Sequence, residues 1–253
     1  MIWRMTGQSS MTCKHDTTYE AIRSQLVTGE LKAGERVSEQ GLAEQLGVSR
    51  SPVREAIKRL QRAGYFEQVH RYGTIVRNPG IEEVSEAYDL RGALEPYALR
   101  HSRPEQYLSH LAELRQMCTR IREIAELTGQ SPDVEDRDDL VQEFFGIDER
   151  FHERLMRCSG NDRFRDLVGE ARLFAQIHGV RRHSVITFET IMGVYRYHHR
   201  IVEAIAVGDM KAAADHLSDH IHMSRDGALD WLRFQQQIRS TVDEADAAFD
   251  ATA

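Results

Sequence analysis

Apolar residues recur at helical spacing along most of the chain and give way to short strand-like runs only between residues 65 and 76. Tyr19, Ile22, Leu26 and Val27 make the stripe of a first helix, which Gly29 ends. Leu42, Ala43 and Leu46 form the inward side of a second, Ser38 to Leu46. Gly47-Val48-Ser49 is a turn of the kind that joins two helices at a steep angle. A third helix is predicted from Arg50 to Ala63, with Ser49 or Ser51 available as a cap. Pro52 falls in its first turn, where an N–H is not needed, and Gly64 closes it. Tyr65-Phe66-Glu67-Gln68-Val69 and Thr74-Ile75-Val76 then read as two strands around His70-Arg71-Tyr72-Gly73, a hairpin behind a helix-turn-helix.

Asn78-Pro79-Gly80 is the clearest break, because proline disfavours helix in the residue before it and glycine lets the chain turn. Beyond it the 3.6-residue period predicts helices over 81–102, 105–128, 138–159, 162–179, 187–207 and 209–238. Ser102-Arg103-Pro104, Thr128-Gly129-Gln130-Ser131-Pro132, Ser159-Gly160-Asn161 and Gly208-Asp209 separate them, with a weaker break at Arg182-His183-Ser184. The domains expected are a flexible tail over 1–15, a head over 16–78, a helical body over 79–238 and an acidic tail over 239–253.

Charge sharpens this division. Residues 1–78 carry twelve Lys and Arg against eight Asp and Glu, while the remainder carries 21 against 32. A cationic head on an anionic body suits phosphate contacts through one end only. No apolar run approaches the roughly 20 residues of a membrane span, and Met1 to Asp16 lacks the apolar core of a secretory signal. Cys13, Cys118 and Cys158 are too sparse for a disulfide framework, so a cytoplasmic, membrane-free protein is expected.

The third predicted helix carries the first candidate chemistry. Val53, Ile57 and Leu60 share its buried arc, and Arg50, Arg54 and Lys58, four apart, run along the adjoining flank. Alone, such a stripe could be a solvated face; followed by a wing with His70 and Arg71 at its tip, it suits a helix inserted in a DNA groove.

The second lies in the body. Asp148 and His152 are four apart on one helix, His198 shares the inward stripe of Ile201, Val202 and Ile205, and His220 lies on the arc of Ala213 and Leu217. An oxygen-and-nitrogen set without thiolate suits Zn²⁺, Ni²⁺, Mn²⁺ or Fe²⁺. Spacing alone leaves His199, His216 and His222 as competing ligands. His152-Glu153 begins like the zinc-protease HExxH, but Met156 stands where the second histidine belongs, which argues against a metal-dependent hydrolase.

Leu31-Lys32-Ala33-Gly34-Glu35-Arg36-Val37 and the run Leu42-Ala43-Glu44-Gln45-Leu46-Gly47-Val48-Ser49-Arg50-Ser51-Pro52-Val53-Arg54-Glu55-Ala56-Ile57 resemble the GntR family of bacterial regulators. The resemblance implies DNA contacts from Arg50 and Arg54, with Lys58, Ser49 and Ser51 beside them and His70, Arg71 and Gly73 in the wing. Gln40 departs from it, standing where relatives often carry a DNA-contacting arginine. Tyr88-Asp89-Leu90-Arg91-Gly92-Ala93-Leu94-Glu95, Asp148-Glu149-Arg150-Phe151-His152 and His198-His199-Arg200-Ile201-Val202-Glu203-Ala204-Ile205 resemble the FCD effector domain of the FadR subfamily. Fold and function follow as expectations: a mainly α chain, a winged helix-turn-helix ahead of an antiparallel FCD-like bundle, and a homodimer on a roughly palindromic operator. The resemblance also implies a divalent metal, zinc foremost, on Asp148, His152, His198 and His220. A small carboxylate effector is expected on that metal, with Arg91 or Arg172 to neutralise it unless these arginines serve interhelix ion pairs. Tyr197 stands where an acidic residue is common in that subfamily. An alternative makes the metal itself the signal.

Overall fold

Two residues define the helix that opens the predicted turn. Ser38, extended at φ −112°, accepts a hydrogen bond from the Gly41 amide on its side chain, and Gly47 ends the helix in the left-handed region at φ 64°. In the computed structural model, which describes residues 17–26, 29–78, 80–130, 134–179 and 186–250, this helix is α2 (Glu39–Leu46). Helical residues 17–26 (α1) precede it, and α3 (Arg50–Arg62) follows directly. The chain divides into two units, the first of residues 1–79 and the second of most of residues 80–253.

In the first unit α3 buries Pro52, Val53, Ala56, Ile57 and Leu60, and Ile22, Leu26, Tyr65, Phe66 and Val76 are buried in the same unit. Each large aliphatic or Phe side chain among them contributes roughly 1.5–3 kcal/mol, enough together to fix which side of α3 faces outward. The hairpin is β2 (Phe66–Val69) and β3 (Gly73–Val76), antiparallel with Phe66 opposite Val76 and Val69 opposite Gly73. A third strand was not foreseen: β1 (Arg36–Val37) pairs with the other side of β3, giving the order β1-β3-β2. Two residues are too few for an alternation to register.

The second unit is helical: α4 (Ile81–Arg100), α5 (Leu111–Gln130), α6 (Val134–Cys158), α7 (Asp162–Gly179), α8 (Phe188–Ala206) and α9 (Met210–Asp250). α4 packs on α9, α5 on α6 and α8, and α8 on α9. One core cluster joins Val84, Leu99, Leu114, Phe151, Leu155, Ile201, Ile205 and Leu217; another joins Ile121, Val141, Phe144, Ile147 and Ile191. Among the described residues no helix is long and apolar enough to cross a membrane.

Three predicted boundaries move. The helix expected from residue 105 begins at Leu111, because residues 104–110 form two 3₁₀ turns. Those turns put Tyr107 fully inside, its hydroxyl donating to Ser102 Oγ (3.1 Å) and the Leu155 carbonyl (3.4 Å). α6 starts at Val134 rather than 138. The last helix runs to Asp250 rather than 238, since nothing after Gly227 is glycine or proline. The predicted 1–15 tail, with Cys13, and Val27, Pro79, Ser131, Pro132 and the break at 182–184 lie outside the described residues.

Candidate nucleic-acid interface and metal centre

With its apolar side held, α3 presents Arg50, Arg54 and Lys58 to solvent. The two arginines converge on one carboxylate. Arg54 donates from Nε and Nη2 to Glu39 at 3.0–3.1 Å, and Arg50 Nη2 reaches the same group at 3.4 Å. The Arg54 hydrogen bond holds the Glu39 carboxyl below its usual range. Lys58 pairs with Glu55 within its own helix at 3.2 Å. Ser49 occupies the N-cap position of α3 without a side-chain capping bond, so its hydroxyl is not spent there. Ser49, Ser51 and Gln40 are exposed, and the Gln40 amide donates to Glu44 at 3.0 Å.

At the wing, His70, Arg71 and Tyr72 are exposed. Arg71 adopts φ 63°, and no other non-glycine among the described residues lies in the left-handed region. Gly73, at φ 108°, lets the strand turn there, and a β-carbon would come within 3.3 Å of Arg36 Nε.

In the second unit α6, α8 and α9 bring four side chains together. Ligating atoms of Asp148, His152, His198 and His220 all lie within 4.8 Å of one another. His220 Nε2 is 3.0 Å from His152 Nε2 and 3.3 Å from His198 Nε2, and Asp148 Oδ1 is 3.3 Å from His198 Nε2. The three imidazoles are buried; Asp148 is 21% exposed. His199 and His222 are exposed and His216 half-buried, and none of them joins this group.

The protonation states favour a cation. Burial, with the Arg172 charge adding to it against Glu95 and Asp148, pushes the His152 imidazole down to about 4. Burial and the neighbouring His198 and His152 hold His220 well below its usual range. Burial opposes ionisation of Asp148, but hydrogen bonding with His198 and the charges of His152 and Arg172 outweigh it and keep the carboxyl ionised. A neutral imidazole, as at His152 and His220, and an ionised carboxylate are the forms a metal takes. Asp148 Oδ1 is enclosed and, beyond its 3.3 Å contact with His198 Nε2, has no well-formed hydrogen bond among the described residues, which suits a metal-ligand atom. The residues present therefore fit a divalent metal.

Glu95, on α4, is the participant that the sequence reading passed over. Its Oε2 lies 2.5 Å from His152 Nδ1, and its Oε1 accepts from Arg91 Nε at 2.9 Å; both carboxylate and imidazole are fully buried. Burial opposes charge on Glu95, but His152 and Arg91 overcome it and hold the carboxyl well below its usual range. A carboxylate that accepts the Nδ1–H hydrogen bond fixes the tautomer and leaves the Nε2 lone pair bare toward the cluster. Phe151 stacks on His198 with ring centres 3.8 Å apart, which fixes that imidazole from the side. Arg172, on α7, donates to Asp148 Oδ2 at 3.0 Å, while its Nη1 is enclosed without an acceptor among the described residues. Arg91 is buried, its guanidinium 5.0 Å from the Tyr88 ring centre. Tyr197 brings its ring to 6.0 Å from that of His220.

Residues 14–76 match the family model described as bacterial regulatory proteins, gntR family, and residues 86–223 match the FCD domain. The chain is 30% identical over 204 residues, 80% of each protein, to an HTH-type transcriptional regulator in an unstable DNA locus of Streptomyces ambofaciens. It is 28% identical over 201 residues, 78% of this chain and 80% of the relative, to a probable D-xylose utilization operon transcriptional repressor of Paenarthrobacter nicotinovorans. Among solved structures, McbR/YncC of E. coli superposes with a TM-score of 0.66 at 20% identity, covering 88% of this chain and 98% of the other, a likeness of fold.

Proposed function

Because the chain belongs to the GntR family of bacterial regulatory proteins, with an FCD domain behind its DNA-binding head, we propose that it is a cytoplasmic repressor whose operator affinity answers to a small carboxylate held on a metal. It is a DNA-binding transcription regulator and not an enzyme, as its family and relatives are. The observation that carries the proposed contact set is the exposed flank of α3, where Arg50 and Arg54 stand beside a fully packed underside. Lys58, Ser49, Ser51 and Gln40 flank them on phosphate and base edges, and the wing reaches the adjoining groove through His70 and Arg71, with Gly73 allowing close approach. Two copies of the chain reading half-sites a whole number of duplex turns apart account for a roughly palindromic operator. Repression is taken from the Paenarthrobacter relative's name.

Arg71 gives this reading a clean test. Holding an arginine at φ 63° costs about 1 kcal/mol that glycine would not incur. Arg71→Gly is therefore expected to raise the melting temperature while weakening DNA binding several-fold. A variant that gains stability and binds unchanged would show that the strain has no bearing on DNA.

Sensing is assigned to the body. Asp148, His152, His198 and His220 would hold the metal, zinc being best suited to the set, with nickel, manganese or iron as alternatives. When bound, the metal supplies a Lewis-acidic position for a carboxylate oxygen. Arg172 Nη1, which lacks an acceptor among the described residues, would neutralise the remaining ligand charge, and Arg91 would add positive potential through Glu95. A ligand preferring one arrangement of the bundle shifts operator affinity by its differential affinity for the two.

The test is a thermal-shift screen of small organic acids on metal-loaded protein, followed by binding to a duplex that the protein selects from a random-sequence pool. At a hundred times its dissociation constant the effector adds about 2.7 kcal/mol, raising the melting temperature by roughly 5–11 °C and releasing the duplex. If metal alone releases the duplex and no acid adds to the effect, the metal is the signal.

A further inference from the structure

Glu39 lies outside every contact set considered so far, yet it touches both arginines to which DNA reading is assigned. It is the first residue of α2, set by the Ser38 cap, and it reaches 11 and 15 residues along the chain to α3. That reach depends on the α2–α3 turn at Gly47, so the carboxylate ties the two helices together on their outer side. We propose that Glu39 is a specificity-determining residue of the DNA interface, aligning Arg54 and Arg50 before DNA arrives and withholding part of their charge from unselective phosphate binding. The proposal rests on the reading of Arg50 and Arg54 as DNA contacts.

The hydrogen-bond pattern says what Glu39 takes and what it leaves. Arg54 spends its Nε–Nη2 edge on the carboxylate in a three-bond contact. Nη1 and the outer N–H of Nη2 remain, and these form the end-on fork that matches guanine O6 and N7. Arg54 is half exposed, with a side-chain exposure of 49%, and among the described residues its guanidinium hydrogen-bonds to Glu39, the main restraint on so flexible a side chain. Restricting it before binding removes an entropic cost that every selective contact would otherwise carry.

The charge argument points the same way. Arg50, Arg54 and Lys58 present three cations along one flank; Glu39 offsets the first two and Glu55 the third. Sequence-blind affinity grows with the number of phosphates neutralised, so an unbalanced stripe would hold any duplex. Partial neutralisation lowers that background and leaves base recognition to geometry.

The experiment measures affinity of the full-length protein for two duplexes: one selected by the wild type from a random-sequence pool, and a scrambled version of it. Glu39→Gln removes the charge, and Glu39→Asp keeps the charge but shortens the reach. Glu39→Gln is expected to bind the scrambled duplex on the order of threefold to tenfold more tightly while gaining nothing on the selected one. Glu39→Asp is expected to leave scrambled binding near wild type and to weaken the selected duplex. In both variants the selected-to-scrambled ratio falls. A ratio unchanged in either variant overturns the proposal, because a charge acting without alignment shifts both affinities equally. Should the wild type select no sequence at all, the DNA-contact reading fails and takes the proposal with it. Matching circular dichroism melts for all three proteins establish that the comparison is between folded molecules.

Discussion

Full-length protein carrying Arg50→Ala or Arg54→Ala is expected to lose between about fivefold and over a hundredfold in affinity for a duplex selected from a random pool. The range corresponds to the roughly 1–3 kcal/mol of a good base contact. The loss comes from the exposed side of α3, so stability should hardly move: Val53, Ile57 and Leu60 are buried on the other side and are untouched by either change. Salt dependence separates the two kinds of contact. Each arginine that neutralises a phosphate contributes about 0.9 to the slope of log affinity against log salt, whereas a base contact adds much less. Arginines reading bases should therefore lose selectivity between the selected and scrambled duplexes, and arginines on phosphate should lose slope. Anisotropy titrations at several salt concentrations measure both. Wild-type affinity in both variants would remove Arg50 and Arg54 from the interface.

The metal centre carries the second large effect. Protein stripped with a chelator and then returned to zinc at a thousand times the dissociation constant is expected to gain about 4.1 kcal/mol. For a body of this size that is a rise of roughly 8–16 °C in its melting temperature. The shift should vanish in His220→Ala, which removes the imidazole closest to both others. In Glu95→Gln the ligands all remain, but Nδ1 of His152 loses its carboxylate, and metal affinity is expected to fall about tenfold to a hundredfold. The metal-induced shift then persists but needs correspondingly more zinc. Arg91 is left without its partner in that variant, so the metal-free protein should also melt lower; the metal-induced difference is what bears on the centre. An equal zinc-induced rise in wild type and His220→Ala would place the metal elsewhere.

Local chemistry explains what could be read along the chain and what could not. The α2–α3 pair is legible because its limits are written in adjacent residues: Ser38, Gly47, Pro52 and Gly64. Of the Asp148, His152, His198 and His220 group, periodicity places His198 and His220 inward and sets Asp148 and His152 on one helix face, but leaves other histidines in competition. Only the family resemblance singles out these four, which the structure brings together. Glu95 is not legible, since an acidic residue on an amphipathic helix ordinarily faces water; its burial depends on Arg91 and on His152, 57 residues away. Glu39 is hidden for a similar reason, its partners lying across a turn whose angle no spacing rule supplies. The start of α5 is hidden because Ser102-Arg103-Pro104 marks a break that a helix could follow at once, while the burial of Tyr107 accompanies tighter turns up to residue 110.

One helix, α9, carries His220 in its first third and then continues without a break to Asp250. At 1.5 Å per residue, about 45 Å of rod lies beyond that imidazole. A tilt of about 5° at the His220 end would displace the Asp250 end by about 4 Å if the helix moves as one rod. On that geometry, a small shift among the donor atoms would become a movement the size of a side chain at the far tip.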